Sequence, residues 1–475
     1  MKRKSSLSAR VVKSIGMFGS VQAVTMLCGV VRAKLAAVWL GPAGMGLLGL
    51  LMSALEMVTQ LTQFNLRQSS VRDIAALHDA PDSRGRIIAA VRRWAWLLGL
   101  AGMAVMLAAA PALSRWSYGD GSHTWAFVIV SAAVLLQALC ESELAILQGL
   151  GALKPLARAT AMGAVGGLVL TVPMYRYWGV DGVAPSIVAY VACTLVVLLW
   201  IRFRNRDRRD GVRLCWRDTW STGRQFLRLG LYMTLASAIG TVVNYAFMSW
   251  LTYRGGADVT GVYQGGYTIL NRYVGVLFAA LFMEYYPRVS ATISRRRFTS
   301  VIVSHELSVL MWIMLPVAPA FLAAQNIIIE LLYTREFLTM APYLSWGMTG
   351  IVLRLVSYTF MYVVIARGDG RIYIIVEALS GVVGLMFSIV GYELWGLAGI
   401  GAAYALWLGY DAVVAVAIYH YRYGLKLGRG VCMLVLVTVT ISAACSAAAI
   451  SGLWWLPAVI AVATVVPAAR RIMRR

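Results

Sequence analysis

The residues of this chain that could do chemistry are ionisable side chains set inside long apolar runs. Arg32, Lys34, Glu56, Glu141, Glu143, Arg272, Arg354, Glu377 and Asp411 each interrupt a stretch of largely hydrophobic residues. Placing such a group in hydrocarbon costs at least ~2.5–3.5 kcal/mol on insertion scales, so it faces a partner or a wet cavity. Arginine is the most demanding, because guanidinium keeps its proton and must stay solvated or paired. Its planar fork of donors suits phosphate oxygens. Arg272 and Arg354, near the middle of their runs, together with Arg32 and Lys34 point to a cavity that holds an anion. Glu56, Asp411 and Glu141 are candidates for relaying protons or sodium ions, or for neutralising an arginine in a structural ion pair. A simpler use of Arg32 and Lys34 is to snorkel toward the outer headgroups. Glu143, Glu284 and Glu377 fall toward run ends, which marks them as interfacial.

The motifs of covalent chemistry are missing. There is no G-x-x-x-x-G-K-[ST] phosphate loop, no H-E-x-x-H zinc helix and no G-x-S-x-G nucleophile elbow. His78, His123, His305 and His420 lie in loops or at run ends, so no buried metal site is expected. The six cysteines include no C-x-x-C pair and sit mostly in apolar runs, where Cys behaves as a small hydrophobe. The expectation is a protein that is not an enzyme and that has no cofactor beyond a coupling H+ or Na+.

The elements that position these charges are membrane spans. The chain has 475 residues, 60% hydrophobic and only 13% charged, with a mean hydropathy of +0.73. Runs of about 20 apolar residues, each long enough to cross the bilayer core, recur from end to end. They predict an all-α polytopic protein with about 14 transmembrane helices: 14–39, 44–66, 94–114, 125–148, 158–178, 182–201, 228–252, 262–286, 303–328, 341–365, 372–394, 397–420, 431–450 and 453–469. With that segmentation, 35 of the 43 Lys and Arg residues fall in loops on one side. The positive-inside rule then puts both termini in the cytoplasm. The same distribution explains the net charge of +23 as topology, with no nucleic-acid partner.

Two Gly-rich turns, Leu40–Gly46 and Arg254–Gly261, follow the first and seventh spans and hint at an internal repeat. The basic loop between the sixth and seventh spans lies where a link between two halves would be. The organisation read from this is an N-terminal six-helix lobe (1–201), a basic linker (202–227), a second six-helix lobe (228–420) and an additional helix pair (421–475). Tryptophans near span ends, Trp94, Trp96, Trp116, Trp178, Trp200, Trp395, Trp454 and Trp455, read as an interfacial belt. Tyr263, Tyr267 and Tyr273, on the span that carries Arg272, are candidates for lining a sugar-accommodating cavity, and core packing explains them equally well.

Three segments carry a family resemblance. The stretch Val30–Gly46 (VVRAKLAAVWLGPAGMG) resembles the first hairpin of Wzx-type polysaccharide flippases of the MOP superfamily. Leu66–Ala75 (LRQSSVRDIA) and Leu331–Phe337 (LLYTREF), followed by Ala341-Pro342, resemble the same group. The likeness extends through the first twelve spans, and the final pair departs from the twelve spans of many such proteins. The lipid II flippases of the superfamily have fourteen. The resemblance implies two six-helix lobes around a central cavity that opens alternately to either side. It implies a substrate of oligosaccharide on undecaprenyl diphosphate, such as an O-antigen or exopolysaccharide unit, moved across the bacterial inner membrane. Polysaccharide polymerases and other assembly proteins would be its partners. Arg32 matches a cavity arginine of related flippases, whereas Arg272 and Arg354 rest on their depth alone. The alternatives are a MATE-like multidrug or cation antiporter, which would depend on Glu56 or Asp411, a lipid II-type flippase, and a membrane-embedded enzyme of glycan assembly.

Overall fold

The structure, a computed structural model, describes residues 2–76, 81–204 and 215–473. His78 and part of the basic linker, 205–214, lie outside the described residues. All regular structure among the described residues is helical. The helices are α1 (Lys2–Thr62), α2 (Leu66–Ala76), α3 (Pro81–Tyr118), α4 (Thr124–Gly149), α5 (Leu153–Trp178), α6 (Val183–Arg204) and α7 (Trp216–Tyr267). They continue as α8 (Val274–Thr292), α9 (Arg296–Leu332), α10 (Ala341–Ala366), α11 (Gly370–Ala417), α12 (Arg429–Ile450) and α13 (Trp455–Met473). Short π-helical turns follow α7 at Thr268–Tyr273 and α11 at Ile418–Arg422.

Eight helical stretches among the described residues are long and apolar enough to cross a membrane, so the protein is a multi-pass membrane protein. Three of them, of 44, 52 and 53 residues, are more than twice the ~20 residues one pass requires. Each is interrupted by a glycine of positive φ, at Gly41, Gly179 and Gly396. Helices dominate because in hydrocarbon a segment must satisfy its own backbone hydrogen bonds.

The chain divides into two compact units, Met1–Gly261 and Val262–Arg475. Within the first, the two Gly-rich turns meet. Gly41 (φ 63°) breaks α1 and Gly256 (φ 85°) breaks α7, in backbone conformations that L side chains rarely adopt. Beside these breaks the two backbones are in contact. A Cβ on Gly46 would lie 2.0 Å from the Ala257 carbonyl oxygen, and one on Gly261 would lie 1.8 Å from that of Pro42. Small residues at these positions let the helices approach as close as backbone permits. Elsewhere in this unit Ser117 bridges α3 to Tyr245 (3.3 Å) and Ser249 (2.8 Å) of α7.

The second unit is joined by another hydroxyl ladder. Thr349 of α10 meets Ser442 (3.2 Å) and Ser446 (3.0 Å) of α12. Ser446 donates to the Ser345 carbonyl at 2.6 Å, and Ser345 donates to Gln325 of α9 at 3.0 Å. Hydroxyls serve as glue here because between spans in lipid the hydrophobic effect gives no preference for helix over tail.

Within each unit described residues of several basic loops meet. In the first, Arg92 of α3 and Arg202 of α6 both reach Glu143 of α4, and Arg93 donates to Thr219 of α7 at 2.9 Å. In the second, Arg422 approaches Asp369 (3.8 Å), Tyr423 donates to Asp369 (2.6 Å) and Arg367 lies 4.3 Å over the Tyr423 ring. Trp96, Trp116, Trp178, Trp200, Trp395, Trp454 and Trp455 are 48–69% exposed, as a belt requires. Trp94 is not part of it. This residue is buried, packs on Trp220 at 5.3 Å and donates its indole N–H to the Thr219 carbonyl. Being near a span end does not decide which way a ring faces.

Candidate functional site

Arg354, halfway along α10, is the best-defined in-membrane charge. Its Nη1 donates to the Asn271 side-chain oxygen and to the Tyr404 hydroxyl (3.3 Å), and its Nη2 donates to the Tyr358 hydroxyl (2.6 Å). Tyr404 also donates to Asn271 at 3.1 Å, and the guanidinium carbon lies 4.9 Å from the centre of the Tyr358 ring. Three elements converge: the π-helical turn supplies Asn271, α10 supplies Arg354 and Tyr358 one turn apart, and the second half of α11 supplies Tyr404. A π-turn adds a residue to the helical circuit and so re-aims the side chains beside it, a device frequent at functional sites. Among the described residues the hydrogen-bond partners of Arg354 are neutral, and none of their carboxylates lies within ion-pair distance of it. Guanidinium carries five N–H donors, and three of them are accounted for by these bonds.

Asp411, one turn beyond Trp407 on α11, makes no ion pair among the described residues. Its Oδ2 accepts from Ser380 at 2.8 Å, and the Trp407 indole donates to the same serine oxygen at 2.8 Å. Its Oδ1 is buried and accepts no hydrogen bond among the described residues. Arg272 is exposed and sits next to Asn271 on the π-turn. Of the tyrosines read as a cavity lining, Tyr263 is buried against Tyr267 (5.9 Å) and Tyr343 (5.4 Å), which is core packing.

The other candidates belong to the first unit. The guanidinium of Arg32 lies 4.5 Å over the Tyr190 ring of α6, so this side chain is held inside the unit by a cation–π contact in addition to any reach toward headgroups. Lys34 is half-buried on the same helix, and Glu56 is exposed. Glu141 pairs with Arg67 at 3.1 Å and accepts from Gln137 at 2.9 Å. Glu143, near the end of its run, is buried within the protein. It accepts from Arg92 through both oxygens (2.8 and 3.2 Å) and from Arg202 (3.1 Å).

Sequence reasoning missed Asn271, Tyr358, Tyr404 and Ser380. One signal was available: Asn271 is a carboxamide inside an apolar run, and Tyr358 stands one turn from Arg354, the spacing at which helical neighbours meet. For Tyr404 and Ser380 no local signal exists, because their partners are distant in the chain.

The family model described as "Polysaccharide biosynthesis protein" matches residues 11–293. The Lipid III flippase of Escherichia coli (strain K12) is 24% identical over 392 residues, covering 79% of this chain and 90% of that protein. The Lipid III flippase of Shigella flexneri matches to the same extent. Among solved structures, an inward-facing multidrug resistance MATE family transporter of the MOP superfamily superposes with a TM-score of 0.71. It is 19% identical and covers 84% of this chain and 94% of its own. Lipid II flippase MurJ in an inward closed conformation superposes with a TM-score of 0.66 at 11% identity, covering 96% and 98%. The fold is that of the MOP superfamily, and with the family model spanning more than half its length, the chain belongs to the polysaccharide biosynthesis protein family.

Proposed function

We propose that this chain is a flippase for a lipid-linked glycan: it moves an oligosaccharide on undecaprenyl diphosphate from the cytoplasmic to the periplasmic leaflet of the bacterial inner membrane, by alternating access and without covalent chemistry. The observation that carries the proposal is Arg354, a guanidinium within a candidate span whose hydrogen-bond partners among the described residues are the neutral groups of Asn271, Tyr404 and Tyr358. A diphosphate supplies the charge and the paired oxygens such a group needs. The names of the relatives, lipid III and lipid II flippases, support the same substrate class.

In this reading the chain crosses the membrane fourteen times with both termini in the cytoplasm, as the side of its basic loops indicates. Each half of the chain forms a six-helix lobe, with the basic linker between the two in sequence. Arg32, Lys34, Arg272 and Arg354 contact the diphosphate while the prenyl chain stays in lipid beside the last helix pair. A polymerase and other assembly proteins act on the product.

The test uses a host that lacks its own oligosaccharide flippase. Expression of this chain restores the surface glycan, and Arg354→Ala abolishes restoration at unchanged protein abundance. Full restoration by Arg354→Ala would remove the arginine from the mechanism. A second reading, a cation antiporter, draws on Asp411, whose carboxylate is bonded to a serine rather than to an arginine. It predicts raised resistance to cationic drugs, lost in Asp411→Asn, and the same strain decides between the two.

A further inference from the structure

The first unit holds a cavity of about 650 Å³, inside the roughly 300–1,000 Å³ range of small-molecule sites. It lies where α1 ends and α2 begins, against the second half of α4. Its lining has an unusual chemistry for a span end: six side chains are carboxamides, Gln60, Gln63, Asn65, Gln68, Gln137 and Gln148. Among the described residues, the charged ones in the lining are Arg67 and Glu141, which pair at 3.1 Å. No aromatic ring is among the lining residues.

The cavity is built rather than incidental. Gln63 is buried and donates its amide to the Val134 carbonyl of α4 at 3.2 Å, which ties the end of α1 across the cavity wall. Gln137 donates to Glu141, and Arg67 also reaches Gln148 at 3.5 Å. Between α1 and α2 the chain turns through Phe64 (φ 47°) and Asn65 (φ 45°). Left-handed backbone is uncommon for Asn and a true outlier for a bulky residue such as Phe, and such strain gathers at functional sites. The strained turn is held in place: a Cβ on Gly230 of α7 would lie 1.9 Å from the Phe64 carbonyl oxygen, and Phe64 packs on the cluster around Leu66, Val91 and Trp94.

We infer that this cavity is a sugar subsite that binds the neutral, hydroxyl-bearing part of the transported glycan, an assignment that rests on the flippase reading above. A carboxamide both donates and accepts, as a sugar hydroxyl does, so six of them around a small volume match a polyol. The ion pair leaves the lining without net charge, which fits neutral sugar and not diphosphate. The two halves of the substrate are then recognised by different chemistry: the anion by the in-membrane arginines, and the sugars by amides where α1 ends and α2 begins. Specificity for the glycan resides in this pocket, because hydrogen bonds left unpaired by a wrong sugar discriminate far better than apolar contacts.

The experiment measures binding to the purified full-length protein in nanodiscs. The probes are farnesyl diphosphate and a set of farnesyl-diphosphate-linked mono- and disaccharides of neutral hexoses and N-acetylhexosamines. The best glycosylated probe binds wild-type protein more tightly than bare farnesyl diphosphate. The double variant Gln137→Leu/Gln148→Leu loses about tenfold or more of that affinity, since two ordinary hydrogen-bonding groups are removed. Binding of bare farnesyl diphosphate is unchanged, which also shows that the variant is folded. Equal loss for both probes, or no loss for either, overturns the pocket assignment alone, as does a wild-type protein that gains nothing from any sugar. A wild-type protein that binds neither the bare nor any glycosylated probe overturns the flippase reading and the pocket with it.

Discussion

Replacing Glu143 by Ala strips two guanidiniums of their shared carboxylate, and the size of the effect can be worked out from its surroundings. The carboxylate makes three charge-assisted hydrogen bonds, at 2.8 and 3.2 Å to Arg92 and 3.1 Å to Arg202. Bonds to charged groups contribute ~1.5–3 kcal/mol each, a gross value of roughly 4.5–9 kcal/mol. Two effects reduce it. The Arg202 side chain is 34% exposed and can turn to water, so its bond adds little net. An unfolded membrane protein also finds other polar partners. Arg92, 16% exposed, is more shielded from water, and breaking a buried pair costs ~3–5 kcal/mol. The expected loss is therefore about 3 kcal/mol, at the low end of that range, or roughly a hundredfold in the folded fraction. Arg202→Met is expected to cost under about 1 kcal/mol. Replacing the whole triad, Arg92→Met with Glu143→Leu and Arg202→Met, is expected to cost less than Glu143→Ala, because no charge is left buried alone. Equilibrium unfolding in mixed micelles, followed by tryptophan fluorescence, reports on α3 through Trp94, which packs on Trp220. A Glu143→Ala protein within ~0.5 kcal/mol of wild type, below the usual scatter of surface substitutions, would refute the reasoning. So would a triad replacement worse than the single change.

Other outcomes follow from the same contacts. Gly261→Ala drives a Cβ to 1.8 Å from the Pro42 carbonyl oxygen. Backbone on both sides leaves little room to yield, so a loss of about 2–3 kcal/mol is expected, measured as lowered yield of monodisperse protein. Arg354→Lys keeps the charge but not the fork that reaches Asn271, Tyr404 and Tyr358. Surface glycan is expected to fall more than about tenfold at normal abundance, and wild-type levels would show that charge alone suffices. Tyr263→Phe keeps the buried ring that packs on Tyr343. It is expected to cost about 1 kcal/mol of stability with transport intact, and a transport defect at normal abundance would return Tyr263 to the substrate path.

Much of the architecture is legible in the chain itself. In hydrocarbon a segment must satisfy its own backbone and match the bilayer thickness, so hydropathy and length alone determine where helices run. Glycines at 41, 256 and 396 mark the breaks because only they adopt the required backbone there without strain. The belt of exposed tryptophans follows from the same one-dimensional depth. What only the tertiary structure decided is which faces meet. Asp411 bonded to Ser380, Glu143 gathered two arginines inside the protein, and Trp94 turned inward from a span end. Arg354 took partners 83 and 50 residues away. The carboxamides of the cavity are drawn from α4 and from the junction of α1 with α2, and nothing local joins the two groups. The reason is geometric: hydropathy reports how deep a residue lies but not its angle around the helix. That angle, set by packing against neighbours distant in sequence, decides whether a polar side chain lines a cavity, completes an ion pair or is lost in the core.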